Sequence, residues 1–227
     1  ITVQLPVYNE PGVIERLIDS VCQLDWPGDR IEIQILDDSD DRITTERAHH
    51  QAAMWRQRGV QIQVIQRDDR TGYKAGALAH GMTTARGDYI AIFDADFTPD
   101  PDFLKQVMPS FFQVDQARIG MVQARWGHLN RDQGLLTQLE ALLLDGHFLL
   151  EHTARYRNQR FFNFNGTAGI WDRRCIEDAG GWEHDTITED VDLSYRAQLR
   201  GWQFVYLPDV VAPAELPHTL SAYLTQQ

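Results

Sequence analysis

The sequence predicts an α/β protein: a single domain built on a mostly parallel, Rossmann-like sheet with helices on both faces. Three observations carry this reading. Short β-branched apolar runs alternate with longer segments of helical periodicity through residues 1–125. One of these runs, Tyr89–Phe93 (YIAIF), is continuously apolar, as in a strand covered on both faces. Acidic residues gather just past two of the runs, at Asp37-Asp38 and at Asp94 and Asp96. In open α/β sheets the ligand crevice lies at those carboxyl ends.

Taken in order, Thr2–Leu5 reads as a strand. Val13–Leu24 is a helix with an apolar stripe at Val13, Leu17, Val21 and Leu24. Ile31–Leu36 (IEIQIL) and Val60–Ile65 (VQIQVI) alternate at period two and flank a polar helix, Thr44–Arg58. The alanine-rich Lys74–Ala85 is helical, then the Tyr89–Phe93 strand follows. Pro101 opens a helix at Asp102–Phe112, and Ile119–Gln123 is a short strand. Residues 1–125 form the first part of the chain in this reading. In residues 126–227, the second part, Leu135–Tyr156 is one long helical stretch. Phe161–Ile170 is an aromatic stretch with glycines, Thr188–Leu199 a helix and Phe204–Leu207 a last strand.

Composition narrows the function classes. The 227 residues carry 33 acids against 21 Lys and Arg, a net charge of −12. Nucleic acid or an anionic lipid surface would need a basic face, so neither is expected as a partner. No apolar run reaches the ~18 residues of a membrane span. The chain starts on an apolar strand and stops at Gln226-Gln227, which reads as a domain excised from a longer protein. Cys22 and Cys175 lack any metal-site spacing and read as buried thiols. The pairs His49-His50 and His147 with His152 read as surface or helix residues rather than ligands. The leucines of Leu135–Tyr156 are expected to pack into the core, since acids outnumber the basic residues a membrane-surface helix would need.

Several constellations carry chemistry. Asp94-Ala95-Asp96 places two carboxylates just past a buried strand, where they can offer oxygens to a divalent cation. Such a cation neutralises charge on a departing diphosphate; a plain acidic turn is the alternative. Asp37-Asp38-Ser39 can accept hydrogen bonds from a base or a ribose, or can cap the next helix. Lys74, one of only two lysines, stands between Gly72 and Gly76 at a helix start, a setting that favours phosphate. Phe164–Gly169 is a small-residue loop that allows close backbone approach. Thr188-Glu189-Asp190 opens a helix and supplies a candidate general base, against the simpler reading of acids facing a helix dipole. Trp126, Trp171, Trp182 and Trp202 could stack on sugars, though most such residues serve the core.

In order along the chain, Pro6-Val7-Tyr8-Asn9-Glu10, Asp37-Asp38-Ser39, Gly72–Leu78, Asp94-Ala95-Asp96, Gln123–Trp126, Phe164–Thr167 and Thr188-Glu189-Asp190 resemble the family 2 glycosyltransferases of GT-A fold. The likeness is nearest to the cellulose-synthase-like branch. That resemblance implies an inverting hexosyltransferase using a nucleotide-diphosphate sugar, UDP-glucose ahead of GDP-mannose, and a growing β-glycan or a glycolipid acceptor, with residues 1–125 as the nucleotide-sugar-binding part and residues 126–227 as the acceptor and catalytic-base part. It implies that Pro6, Tyr8 and Glu10 with Asp37 and Asp38 hold the nucleoside, and that Lys74 lies near the diphosphate. Asp96 with Asp94 would bind Mg²⁺ or Mn²⁺, Asp190 would be the base, and the Phe164–Thr167 loop would shape the acceptor side. The family's QxxRW motif would begin at Gln226-Gln227. Such a domain is expected on the cytoplasmic side of an integral membrane protein, with membrane association through segments absent from this chain.

Other classes fit less well. Asp94-Ala95-Asp96-Phe97-Thr98 also resembles the DxDxT of haloacid-dehalogenase-type phosphohydrolases, with Asp94 as nucleophile. That motif usually follows the first strand, and it leaves the remaining motifs without a role. A non-catalytic binding module would not need the candidate base. No GxGxxG follows a strand, so a dinucleotide-binding dehydrogenase is disfavoured.

Overall fold

A computed structural model describes residues 1–112, 118–186 and 188–220. Gln226-Gln227, where the QxxRW motif would begin, lie outside the described residues. Strands β1 (Thr2–Val7), β2 (Glu32–Asp37), β3 (Ile62–Ile65) and β4 (Tyr89–Ile92) alternate with helices α1 (Ile14–Cys22), α2 (Arg42–Gln57) and α3 (Tyr73–Met82). Helix α4 (Phe103–Val107) runs on as a 3₁₀ turn, Met108–Phe112, before β5 (Ile119–His128). After α5 (Leu135–Asp145) and α6 (Thr153–Arg157) come β6 (Gly169–Asp172), α7 (Arg173–Asp178), α8 (Glu189–Leu199) and β7 (Gln203–Ala214).

The strands form one sheet in the order β3-β2-β1-β4-β6-β5-β7. It is mostly parallel, as expected; β6 alone runs antiparallel to both neighbours, β4 and β5. Sequence reading gave β6 no strand of its own. Its pattern is four buried residues behind a glycine-rich loop, with no polar alternation to mark it. The functional effect is large, because this reversal brings the Phe164–Thr167 loop back beside the end of β4.

Strand β4 shows how the two faces are filled. Ala91 and Phe93 pack with Val3, Leu5, Leu17 and Phe103 on one side. Ile90 and Ile92 pack with Leu78, Trp171 and Tyr206 on the other. The alternation in β2 has a different meaning from that in a half-exposed strand, since every residue of Glu32–Asp37 is buried. Its polar members are satisfied inside: Gln34 Oε1 accepts from Gln4 Nε2 at 3.0 Å, and Glu32 pairs with Arg86 and accepts from Thr2 Oγ1.

Two expectations need correction. Leu135–Tyr156 is not one regular helix: a π-helical segment, Gly146–His152, interrupts it. Nor are its leucines core residues, for Leu135, Leu142, Leu143 and Leu150 are all more than 60% exposed. The segment buries Ala141, Phe148 and His152 on its opposite side, with Phe148 against Tyr206 and His152 against Phe162. His152 is thus a core residue rather than a surface one. Among the described residues no helix is long and apolar enough to cross a membrane.

Candidate active site

The carboxyl ends of β1, β2 and β4 open into a cleft of about 850 Å³. Its walls are built by loops that hold one another. Asn9, in the left-handed region at φ 55°, caps the loop after β2 by accepting from the backbone N–H groups of Asp40 and Asp41. Tyr8, one residue earlier, donates its hydroxyl to Asp40 Oδ2 at 3.3 Å. Tyr73 (φ 46°) and Ala168 (φ 53°) are further non-glycine residues held left-handed beside the site. Such strain persists where surrounding structure fixes it, and it concentrates at functional sites.

The expected residues divide between the cleft and its scaffold. Pro6, Tyr8, Glu10, Asp38, Lys74, Asp94 and Asp96 all line the cleft. Asp37 does not: it is 2% exposed and its carboxylate accepts from Ser39 N–H, Thr45 Oγ1 and Gln66 Nε2. It braces the strand end from which Asp38 projects. The cap of α2 is neither of these acids but Asp41, which accepts from Thr44 N–H at 2.8 Å. Asp38 is gripped at both oxygens by Arg67, at 2.8 and 2.5 Å, and the same guanidinium donates to the carbonyls of Thr71 and Tyr73. Arg67 therefore ties the loop before α3 to the end of β2.

Lys74 Nζ lies 2.5 Å from Asp94 Oδ1. The Asp94 N–H donates to Thr167 Oγ1 at 2.9 Å, fastening the DxD turn to the Phe164–Thr167 loop. Gly166, at φ +80°, packs in the angle between two functional side chains: a Cβ there would lie 3.4 Å from Asp190 Oδ2 and 3.5 Å from Lys74 Nζ. The left-handed φ would strain any side chain there, and glycine suits it; the two groups themselves lie at ordinary van der Waals distance from the Cβ position. Asp190 stands at the start of α8, and Phe164 N–H donates to Ser194 Oγ one turn further on. The antiparallel β6 thus joins the candidate base, the lysine and the DxD turn through one loop.

Electrostatics mark the same place. Burial, then the like charges of Asp96 and Asp94, push Glu10 up to about 7. Burial and Asp94 push Asp96 up to about 7 as well. Burial, opposed by the Val191 N–H, holds Asp190 above the ordinary carboxylate range. Crowded, part-desolvated carboxylates of this kind are a signature of a site that takes a cation or moves a proton. Glu10 faces Asp96 and Asp94 more directly than a nucleoside-holding role alone would require. All-oxygen donors suit a hard divalent cation. Among the described residues no three His, Cys, Asp or Glu side chains gather tightly enough to hold one unaided.

Arg70 escaped sequence reading. Its guanidinium sits 3.3 Å from the Tyr8 ring centroid and 5.5 Å from that of Tyr73, facing the cleft. Its buried Nε has no hydrogen-bond partner. The rule applied to Lys74, a cation beside the glycines of a helix start, would have found it two residues before Gly72. The lip formed by Glu215–His218 was missed too; Glu215 N–H donates to the Asp96 carbonyl and its carboxylate pairs with Arg16. Trp171, Trp182 and Trp202 are buried core residues, and Trp126 lies edge-on to Phe97. Cys22 and Cys175 are free thiols.

A family model described as "Glycosyltransferase like family 2" matches residues 1–227. The chain is 45% identical over 230 residues to glucomannan 4-beta-mannosyltransferase 1 of Oryza sativa subsp. japonica, covering 100% of this chain and 44% of that protein. It is 44% identical to glucomannan 4-beta-mannosyltransferase 2 of Arabidopsis thaliana, again over 100% of this chain and 43% of the relative. The chain thus spans less than half the length of these relatives. Among solved structures, mannosyltransferase PcManGT from Pyrobaculum calidifontis, in complex with GDP-Man and Mn²⁺, superposes with a TM-score of 0.77 at 22% identity, over 98% of this chain and 59% of that one. S. aureus TarS 1-349 in complex with UDP-GlcNAc gives 0.68 at 17% identity, over 96% and 59%. At such identities these two likenesses bear on the fold alone. The sequence matches decide the family: this chain belongs to the family 2-like glycosyltransferases, built on the GT-A fold.

Proposed function

We propose that this chain carries the donor and transfer site of an inverting mannosyltransferase that uses GDP-mannose and extends a β-linked glycan of the glucomannan type. The relatives' names move the donor preference from UDP-glucose, the first expectation, to a mannose donor. The observation that carries the reading is the approach of Asp190, beside Gly166, to the Lys74–Asp94 pair that lines the cleft.

In this reading Tyr8 and Asp38 receive the nucleoside, with Arg67 holding Asp38 in place. Lys74 and Arg70 face the diphosphate. Asp96 and Asp94 would hold Mg²⁺ or Mn²⁺, which when bound would neutralise charge on the leaving diphosphate. The acceptor hydroxyl approaches the anomeric carbon from the side opposite the diphosphate. As its oxygen bonds to that carbon, the carbon–oxygen bond to the diphosphate breaks and Asp190 takes the hydroxyl proton. A single displacement of this kind inverts the configuration, giving a β-linkage from an α-linked donor. Burial holds Asp190 above the ordinary carboxylate range, the direction that strengthens it as a base.

Titration calorimetry with GDP and with UDP, each with and without Mn²⁺, tests the proposal. Metal-dependent binding of GDP in preference to UDP is expected. Tighter binding of UDP would return the donor to UDP-hexose, and binding of neither would sink the transferase reading of this chain.

A further inference from the structure

The π-helical segment Gly146–His152 has no part in the scheme above. Such segments are rare and tend to occur at functional sites. This one is held by its own backbone and by Tyr206, whose hydroxyl donates to the Phe148 carbonyl at 3.0 Å. Within it, His147 reaches the Phe164–Thr167 loop. His147 Nδ1 lies 3.0 Å from Glu151 Oε2, and its Nε2 lies 3.2 Å from Asn165 Nδ2. A carboxylate only accepts, so Nδ1 carries the hydrogen and Nε2 presents its lone pair. The Asn165 amide then donates to His147 through Nδ2 while its Oδ1 accepts from Asn163 Nδ2 at 2.9 Å.

Asn165 is thereby held from three directions, the third being its backbone N–H, which donates to the buried Gln123 Oε1 at 3.0 Å. The next residue is Gly166, against Asp190 and Lys74. Phe148 and the buried His152 pack on the His147 ring at centroid distances of 5.2 and 4.5 Å, so the ring is not free to turn away.

We infer that His147 is a positioning residue for the transfer: it fixes the Asn165 side chain, and through it the Phe164–Thr167 loop, so that Asp190 meets the acceptor hydroxyl in line. This rests on the transferase reading above. It assigns a role to a histidine that touches neither donor nor base.

Three variants test it: His147→Leu, His147→Gln and His147→Asn. A glutamine amide reaches the place of Nε2 and can accept from Asn165; an asparagine amide reaches only the place of Nδ1. Donor binding by calorimetry is expected to be unchanged in all three. Transfer to a glycan acceptor is expected to lose about tenfold in kcat in the leucine and asparagine variants, as misplacement of a reacting group does. The glutamine variant recovers most of that loss. Side-chain amide NMR of Asn165 should show its bonded hydrogen in the parent and the glutamine variant, and its loss in the other two. Equal kcat in the parent and the leucine variant overturns the role while leaving the transferase reading intact. Equal damage in the glutamine and asparagine variants also overturns it, since a packing role alone would not separate them. A parent that neither binds a nucleoside diphosphate nor transfers sugar overturns the underlying reading and this role together.

Discussion

Lys74 and Asp94 form an ion pair of 2.5 Å across the floor of the cleft, joining the first turn of α3 to the end of β4. Burial opposes the lysine's charge, but Asp94, with Glu189 and Asp190 behind it, more than offsets that and holds its pKa above the usual lysine value. Replacing it with alanine removes a cation facing the diphosphate and leaves a carboxylate unpaired. Lys74→Ala is expected to weaken nucleoside diphosphate binding about 10–100-fold, measured by calorimetry.

Asp96 and Glu10 share the cleft with Asp94; beyond the effect of burial, Asp94 raises the proton affinity of both, and Asp96 that of Glu10. A divalent cation would relieve that crowding. Asp96→Asn is expected to abolish any tightening of nucleotide binding by Mn²⁺. An asparagine variant that still responds to Mn²⁺ would move the metal site elsewhere.

The carboxyl group of Asp190 is raised above its ordinary range, chiefly by burial. A base must be deprotonated to work, so the transfer rate should fall as pH drops, with the acid limb lying above the usual aspartate value. Asp190→Asn should lower kcat by about 10²–10⁴-fold with the donor Kd unchanged.

Arg70 presents its donors to the cleft from between two tyrosine rings. Arg70→Ala is expected to weaken GDP about tenfold while leaving guanosine, which lacks phosphate, little affected. Equal loss for both ligands would mean that the guanidinium stacks on the base instead.

His152 is buried with both ring nitrogens unpartnered, and burial, with His147 beside it, lowers its pKa to about 4. The folded chain therefore binds its proton more weakly than the unfolded chain, whose value is about 6.5. Its contribution to stability is present above pH ~6.5 and is lost as pH falls toward ~4, at most on the order of 3 kcal/mol. Urea unfolding at pH 7 and pH 4.5 should show that decline, and His152→Phe should flatten it.

Much of this was legible in the chain itself. Apolar runs ending in acids gave the parallel strands and the open side of the sheet, and Asp38, Lys74, Asp94 and Asp96 line the cleft as the sequence placed them. What stayed hidden depends on contacts distant in sequence. Asp37 and Asp38 are adjacent and chemically alike, yet one braces Thr45 and Gln66 while the other faces the cleft; strand register decides between them. Periodicity cannot reveal a π turn, because His147 and Glu151 keep helical spacing on either reading. Leucines at helical spacing suggest a core but do not say which side is covered. Glu215–His218 carries no motif and joins the site only because β7 ends beside Asp96.

The strand order has a consequence for inheritance. Tyr8, Asp38, Arg67 and Arg70 come from the β3-β2-β1 side of the sheet, while Asn165, Asp190 and His147 come from segments flanking β5, β6 and β7; β4 stands between them. Under the proposed function, nucleotide choice and acceptor choice would reside in separate stretches of polypeptide that meet around Asp94, Lys74 and Gly166. A chimera exchanging residues 37–73 could acquire a new nucleotide preference and keep its linkage, so the two specificities are free to drift at different rates.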